Sequence, residues 1–130
     1  MTYNYLNWEI TATYTGSKQA DWENINNWNH HRVTVTNTNN GKEIGFDFWA
    51  SLAHPHLTSL YDTVNAFHCF VEDAISGDMD FEEFCFEFGY DTDSRRAERT
   101  WKACKKAAEK LRRIYDGDFY ELAEKLRDFS

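Results

Sequence analysis

The stretch HRVTVTNTNNGKEIGFDFWAS, His31 to Ser51, places two β-rich runs, Arg32 to Thr36 and Glu43 to Trp49, on either side of Asn40-Gly41. Val, Thr, Ile and Phe fit a pleated surface, and Asn-Gly favours the positive φ angles of a tight turn, so the stretch predicts a β-hairpin. Upstream, WEITATYTG puts Trp8, Ile10, Ala12 and Tyr14 on one side of a strand and Glu9, Thr11, Thr13 and Thr15 on the other. That period of two predicts a half-buried sheet. Between them, GSKQADWENINNWNHH is polar and Asn-rich, with Trp22, Ile25 and Trp28 at spacings of three, and reads as a loop with a short helical turn.

Past the hairpin the period changes. Leu60, Val64, Phe67, Val71, Ala74 and Ile75 form a helical stripe that stops at Gly77, the position of a C-terminal cap. Asp80 and Glu83 make a capping-box pattern for a short helix through Phe88, closed by Gly89. A third helix starts at Asp93 or Ser94 and runs to about Tyr115; Gly117 breaks it, and FYELAEKLRDF makes a last one. The expectation is an α+β fold in one domain over residues 1–130. An antiparallel sheet of about three strands, within 1–50, precedes about four helices, within 57–130, that cover one of its faces. The sole proline, Pro55, sits at the junction.

Ten Phe, seven Tyr and five Trp among 130 residues supply ample apolar area for a core. Trp22, Trp28, Trp49, Phe46 and Phe48 read as core, or as contact anchors where exposed. No long apolar run and no signal peptide at MTYNYLNWEI is present, so the expectation is a cytoplasmic protein with no membrane contact. Cys69, Cys85 and Cys104, odd in number and set among apolar or helical positions, read as buried thiols in a reducing compartment.

Charge is the unusual feature. Residues 1–93 hold 15 acidic and 3 basic side chains, a net −12, whereas residues 94–130 hold 7 and 11, a net +4; together these give the formal −8. On the third helix Arg95, Arg99, Lys102, Lys106, Lys110 and Arg113 share one sector, opposite Ala97, Trp101, Cys104, Ala108, Leu111 and Tyr115. Just upstream, Glu72 to Asp93 contains nine acidic residues and no basic one. Three readings follow: the two segments pair internally or are simply solvated; the cationic face binds phosphate; or the acidic surface meets a basic protein groove. The negative net charge repels phosphate at long range, which weighs against the second.

Chemical motifs are few. EDAISGDMDFEEF imitates a calcium loop at Gly77, Met79 and Glu83, but the opening positions are Glu72 and Ala74 rather than the required Asp pair. His30, His31, His54, His56 and His68 beside Cys69 lack the spacing of a known zinc ligand set. There is no GxSxG elbow, no cysteine-nucleophile signature, no P-loop and no dinucleotide fingerprint. No catalytic residue, metal or cofactor is expected, and a binding protein is favoured over an enzyme.

Phe81, Glu82, Phe84, Cys85, Glu87, Gly89, Tyr90, Asp91, Asp93, Ser94, Arg95 and Ala97, followed by Trp101, Ala103 and Cys104, form a pattern F-E-x-F-C-x-E-x-G-Y-D-x-D-S-R. It resembles the C-terminal part of a group of small proteins carried by phages, prophages and plasmids, and the hairpin HRVTVTN is similar to theirs. The resemblance implies a mobile-element context, in which small acidic proteins often inhibit host defence, as anti-CRISPR and anti-restriction proteins do. It therefore implies a bacterial defence protein or CRISPR effector complex as partner. On that reading, as a DNA mimic, the contact residues are Asp78, Asp80, Glu82, Glu83, Glu87, Asp91 and Asp93; the alternative is a nucleic-acid-binding accessory protein using the basic face.

Overall fold

The computed structural model describes residues 2–19, 27–51, 57 and 59–128. The fold is α+β, a four-stranded antiparallel sheet followed by four helices. The strands are β1 (Thr2–Tyr5), β2 (Trp8–Gln19), β3 (Asn27–Asn37) and β4 (Lys42–Ser51), paired in sequence order. The helices are α1 (Leu60–Asp78), α2 (Phe81–Phe88), α3 (Arg95–Ile114) and α4 (Phe119–Arg127).

The alternation in β2 is realised as far as Ala12; Tyr14, expected on the same side, is 54% exposed. Trp8, Ile10 and Ala12 are buried, and they face Val33 and Val35 of β3 and Ile44 and Phe46 of β4 across one side of the sheet. The Asn40-Gly41 turn lies in a four-residue loop between the paired Asn37 and Lys42, with Gly41 at φ 73°. Its asparagines also reach the helices. Asn37 Nδ2 and Asn40 Nδ2 donate to the Ile114 carbonyl oxygen at 2.8 and 3.0 Å, satisfying an acceptor that the end of α3 leaves open.

Two expectations about the sheet are corrected. A fourth strand, β1, precedes the expected ones and turns into β2 through Leu6 and Asn7, with Leu6 in the left-handed region at φ 55°. No glycine marks that turn. The segment expected as a loop is strand at both flanks, because β2 continues to Gln19 and β3 starts at Asn27. A bulge between Tyr14 and Gly16 restarts the ladder, and backbone pairing there needs no apolar side chain. Trp22, Ile25, His54, Pro55 and His56 lie outside the described residues, as does the side chain of Trp28.

α1 packs against the sheet, α3 and α4, and α3 also touches β4. Val64, Phe67, Phe70, Val71 and Ala74 are buried; Phe67 meets Trp8 edge-on at 5.1 Å between centroids, and Phe70 stacks on Phe46 at 4.2 Å. Leu111 and Ile114 of α3 and Phe119, Leu122 and Leu126 of α4 complete the core. Gly77 does not cap α1, which runs through it to Asp78 and is capped at Met79 with φ −73°. Gly77 is needed for contact, since a Cβ there would stand 2.1 Å from the Cys104 carbonyl oxygen. The other caps form as the sequence predicts: Asp80 accepts from Glu83 N, Ser94 from Ala97 N, and Gly89 takes φ 73°.

Candidate functional site: an acidic segment beside a cationic helix

The acidic segment folds as the end of α1, the short helix α2 and the loop to α3. Phe84 and Cys85 anchor α2 on Ala97, with Met79, Phe81, Tyr90 and Trp101 packed around them. The Trp101 indole N–H donates to the Met79 carbonyl at 2.9 Å and holds the α1–α2 corner against α3. This small cluster turns the charged side chains of α2 outward. Asp78, Asp80, Glu82, Glu83, Glu87, Asp91 and Asp93 are all exposed.

Two of the seven carry structural duties. Asp78 pairs with Arg112 at 3.1 Å, and Asp80 Oδ1 accepts from Glu83 N at 2.8 Å as the α2 cap. Among the described residues, the other five form no ion pair. Glu82 and Glu83 lie in the first turn of α2, where the helix dipole favours negative charge. Phe86, on the same helix, is 87% exposed, whereas Phe88, half-exposed, lies on the other side of the helix against Phe84.

The cationic face divides. Lys110 leaves it, donating from Nζ to the Gly45 carbonyl at 3.0 Å on the free edge of β4. Lys102 pairs with Glu98 one turn back at 2.9 Å, and Lys105 sits 4.8 Å over the Trp101 ring. Arg95, Arg99, Lys106 and Arg113 remain exposed with no ion pair among the described residues. Internal neutralisation of the acidic segment by α3 therefore amounts to one ion pair, Asp78–Arg112.

Behind Glu87 the surface dips into a groove of about 500 Å³ between α1, α2 and α4, lined by Glu72, Asp73, Glu87, Phe88, Tyr120 and Glu124 among others. Burial and the neighbouring Glu72 push the Asp73 carboxyl up from its ordinary value. Burial likewise raises all three thiols; Cys104, also facing Asp73, is pushed up to about 11. Of the three thiols expected to be buried, Cys85 is, whereas Cys69 and Cys104 are partly buried. The histidines do not converge. His31 is buried on the core side of β3, His68 pairs with Glu72 at 3.0 Å, and His30 lies on the open face of the sheet against Asp47. Among the described residues, no three His, Cys, Asp or Glu side chains are placed to hold a metal ion. Nor is any helix there long and apolar enough to cross a membrane.

Compared with known proteins, the chain matches no family model, no curated protein and no solved structure. What sequence reasoning missed at this site is Phe86. The signal was present: in FEEFCFEF, Phe81, Phe84, Cys85 and Phe88 satisfy a helical stripe and leave Phe86 on the opposite side.

Proposed function

We propose that this chain is a binding protein of mobile-element origin that inhibits a bacterial defence nuclease complex of the CRISPR type, by lodging its acidic surface in a groove that otherwise holds nucleic acid. The observation that carries the reading is a run of exposed carboxylates without ion partners among the described residues, Glu82, Glu83, Glu87, Asp91 and Asp93, on and just after the short helix that also exposes Phe86. Solvated charge alone needs no aromatic anchor, whereas interfaces combine a large apolar contact with charge complementarity. The partner class comes from the sequence resemblance to phage- and plasmid-borne proteins.

The test is an electrophoretic shift with a purified, DNA-loaded effector. The protein releases DNA from the effector, and reversing Glu82, Glu83, Glu87 and Asp91 to lysine abolishes release; unchanged release by that variant would sink the reading. A second reading rests on the exposed, unpaired Arg95, Arg99, Lys106 and Arg113. It predicts direct binding to bare nucleic acid that weakens steeply with salt, an outcome that an acidic mimic does not give.

A further inference from the structure

The open face of the sheet carries a grouping that the acidic surface does not use. β2, β3 and β4 bring Thr15, His30 and Asp47 together in a chain of hydrogen bonds. His30 Nε2 lies 2.9 Å from Asp47 Oδ1, and His30 Nδ1 lies 2.5 Å from Thr15 Oγ1. A carboxylate only accepts, so Nε2 carries the ring proton. Nδ1 is then the acceptor, and the Thr15 hydroxyl donates to it. The His30 carbonyl oxygen lies 3.2 Å from the same hydroxyl, whose single proton is shared between the two acceptors.

The surroundings fix this geometry. Arg32 Nη1 donates to the same Asp47 oxygen at 3.2 Å, and the Trp49 ring stacks on the imidazole at 4.4 Å with 26° between planes. The hydrogen bond from His30, and then Arg32, hold the Asp47 carboxyl below its ordinary value, so it stays ionised at neutral pH. Thr15 is the extra residue of the β2 bulge, between Tyr14, which pairs with His31, and Gly16, which pairs with His30. Gly16 sits at φ 144°, a backbone angle that side chains rarely allow. Bulges of this kind re-aim a side chain.

A hydroxyl bonded to an imidazole that a carboxylate orients is the arrangement that activates an oxygen nucleophile. We propose that Thr15 is an acyl-acceptor site, at which His30 is the base, Asp47 its positioning residue, and the substrate an activated ester or thioester. Thr15 Oγ attacks the carbonyl carbon while its proton passes to His30 Nδ1. The bond from that carbon to the leaving oxygen or sulfur then breaks, and His30 returns the proton to the departing alkoxide or thiolate. A hydroxyl and an ester become a Thr15 ester and an alcohol or thiol, with no further reactant. Thr15 and Asp47 are exposed and the surface is open, so the acyl group is reached from solvent and can belong to a bulky donor.

Thr13 is an internal control. It is exposed on the same strand, opposite Arg32, without a hydrogen bond to an imidazole. The full chain is incubated with p-nitrophenyl acetate and mapped by peptide mass spectrometry. Acetyl is expected on Thr15 at roughly 100 times the rate on Thr13. Thr15→Val removes the adduct, and His30→Gln slows it by about 100-fold. If His30→Gln disturbs the sheet, the ratio of Thr15 to Thr13 labelling in the unaltered protein decides. Equal labelling of the two threonines, or a Thr15 rate that an intact His30→Gln variant keeps, overturns the proposal.

Discussion

A methyl group on Gly77 would stand 2.1 Å from the carbonyl oxygen of Cys104, so α1 and α3 meet here backbone against backbone. A Cβ never approaches that close, and the obstacle is main chain that cannot rotate away. The close approach brings the α1–α2 corner, and with it the acidic segment, onto the helix that carries the positive charge.

Gly77→Ala is therefore expected to destabilise, although alanine in an exposed helix interior gains about 1 kcal/mol over glycine. Separating the helices enough to admit a methyl costs about 1–3 kcal/mol for a tight core and more where backbone is displaced. The net expectation is a loss of roughly 2 kcal/mol in urea denaturation. A variant as stable as the parent would mean that α1 and α3 do not touch as described.

The raised Cys104 thiol gives a pH dependence. Its ordinary value of 9.0 is lifted to about 11 by burial and by Asp73, so the folded chain holds the proton over a window in which the unfolded chain has released it. Stability is full below about 9 and falls as pH rises through that window to about 11. The two units correspond to at most about 3 kcal/mol. Cys104→Ala should flatten this part of the curve relative to the parent, and alkylation of Cys104 at pH 9 should run about 50-fold slower than that of an ordinary thiol. Rapid alkylation of a folded sample would contradict the burial.

Arg112 holds three things at once. Nη2 pairs with Asp78 at 3.1 Å, Nη1 donates to the Gly117 carbonyl at 2.9 Å, and the guanidinium lies 3.9 Å over the Phe119 ring. The ion pair is nearly half exposed on both sides and is worth about 0–1 kcal/mol. Asp78→Asn is expected to cost no more than that. Arg112→Ala also loses the carbonyl bond and the ring contact, and should cost about 1–2 kcal/mol. Thermal melts of the two variants separate these contributions, and equal losses would show that the ion pair alone matters.

Local features were legible in the sequence and long-range ones were not. The caps at Asp80, Ser94 and Gly89 depend on residues within one turn, and the pattern places them. Gly77 reads as a helix stop because glycine commonly is one; its reason for being there lies on α3. β1 escaped because Leu6 occupies a turn position at φ 55° without any turn residue to announce it. The acidic segment and the cationic helix face were visible as charge runs, but only tertiary placement shows that Lys110 turns to β4 and that, of the seven acids, Asp78 alone has an ion partner among the described residues. Thr15, His30 and Asp47 come from three strands, and a one-residue bulge decides whether they meet.

Phe84 and Phe86, two residues apart on α2, separate folding from recognition. Phe84 is 2% exposed and packs between Phe88 and Tyr90, whereas Phe86 is 87% exposed. Phe84→Ala should cost about 3–5 kcal/mol, the usual penalty for emptying a buried ring site. Phe86→Ser should leave stability within about 0.5 kcal/mol, since it removes no internal contact of consequence. At a protein interface the same change should cost about 2 kcal/mol or more of affinity, roughly a 30-fold loss. Titrating the two variants against the DNA-loaded effector, beside their urea midpoints, distinguishes the roles. If Phe86→Ser binds as the parent does while charge reversal of its acidic neighbours abolishes binding, the surface acts through charge alone and the aromatic anchor is not part of it.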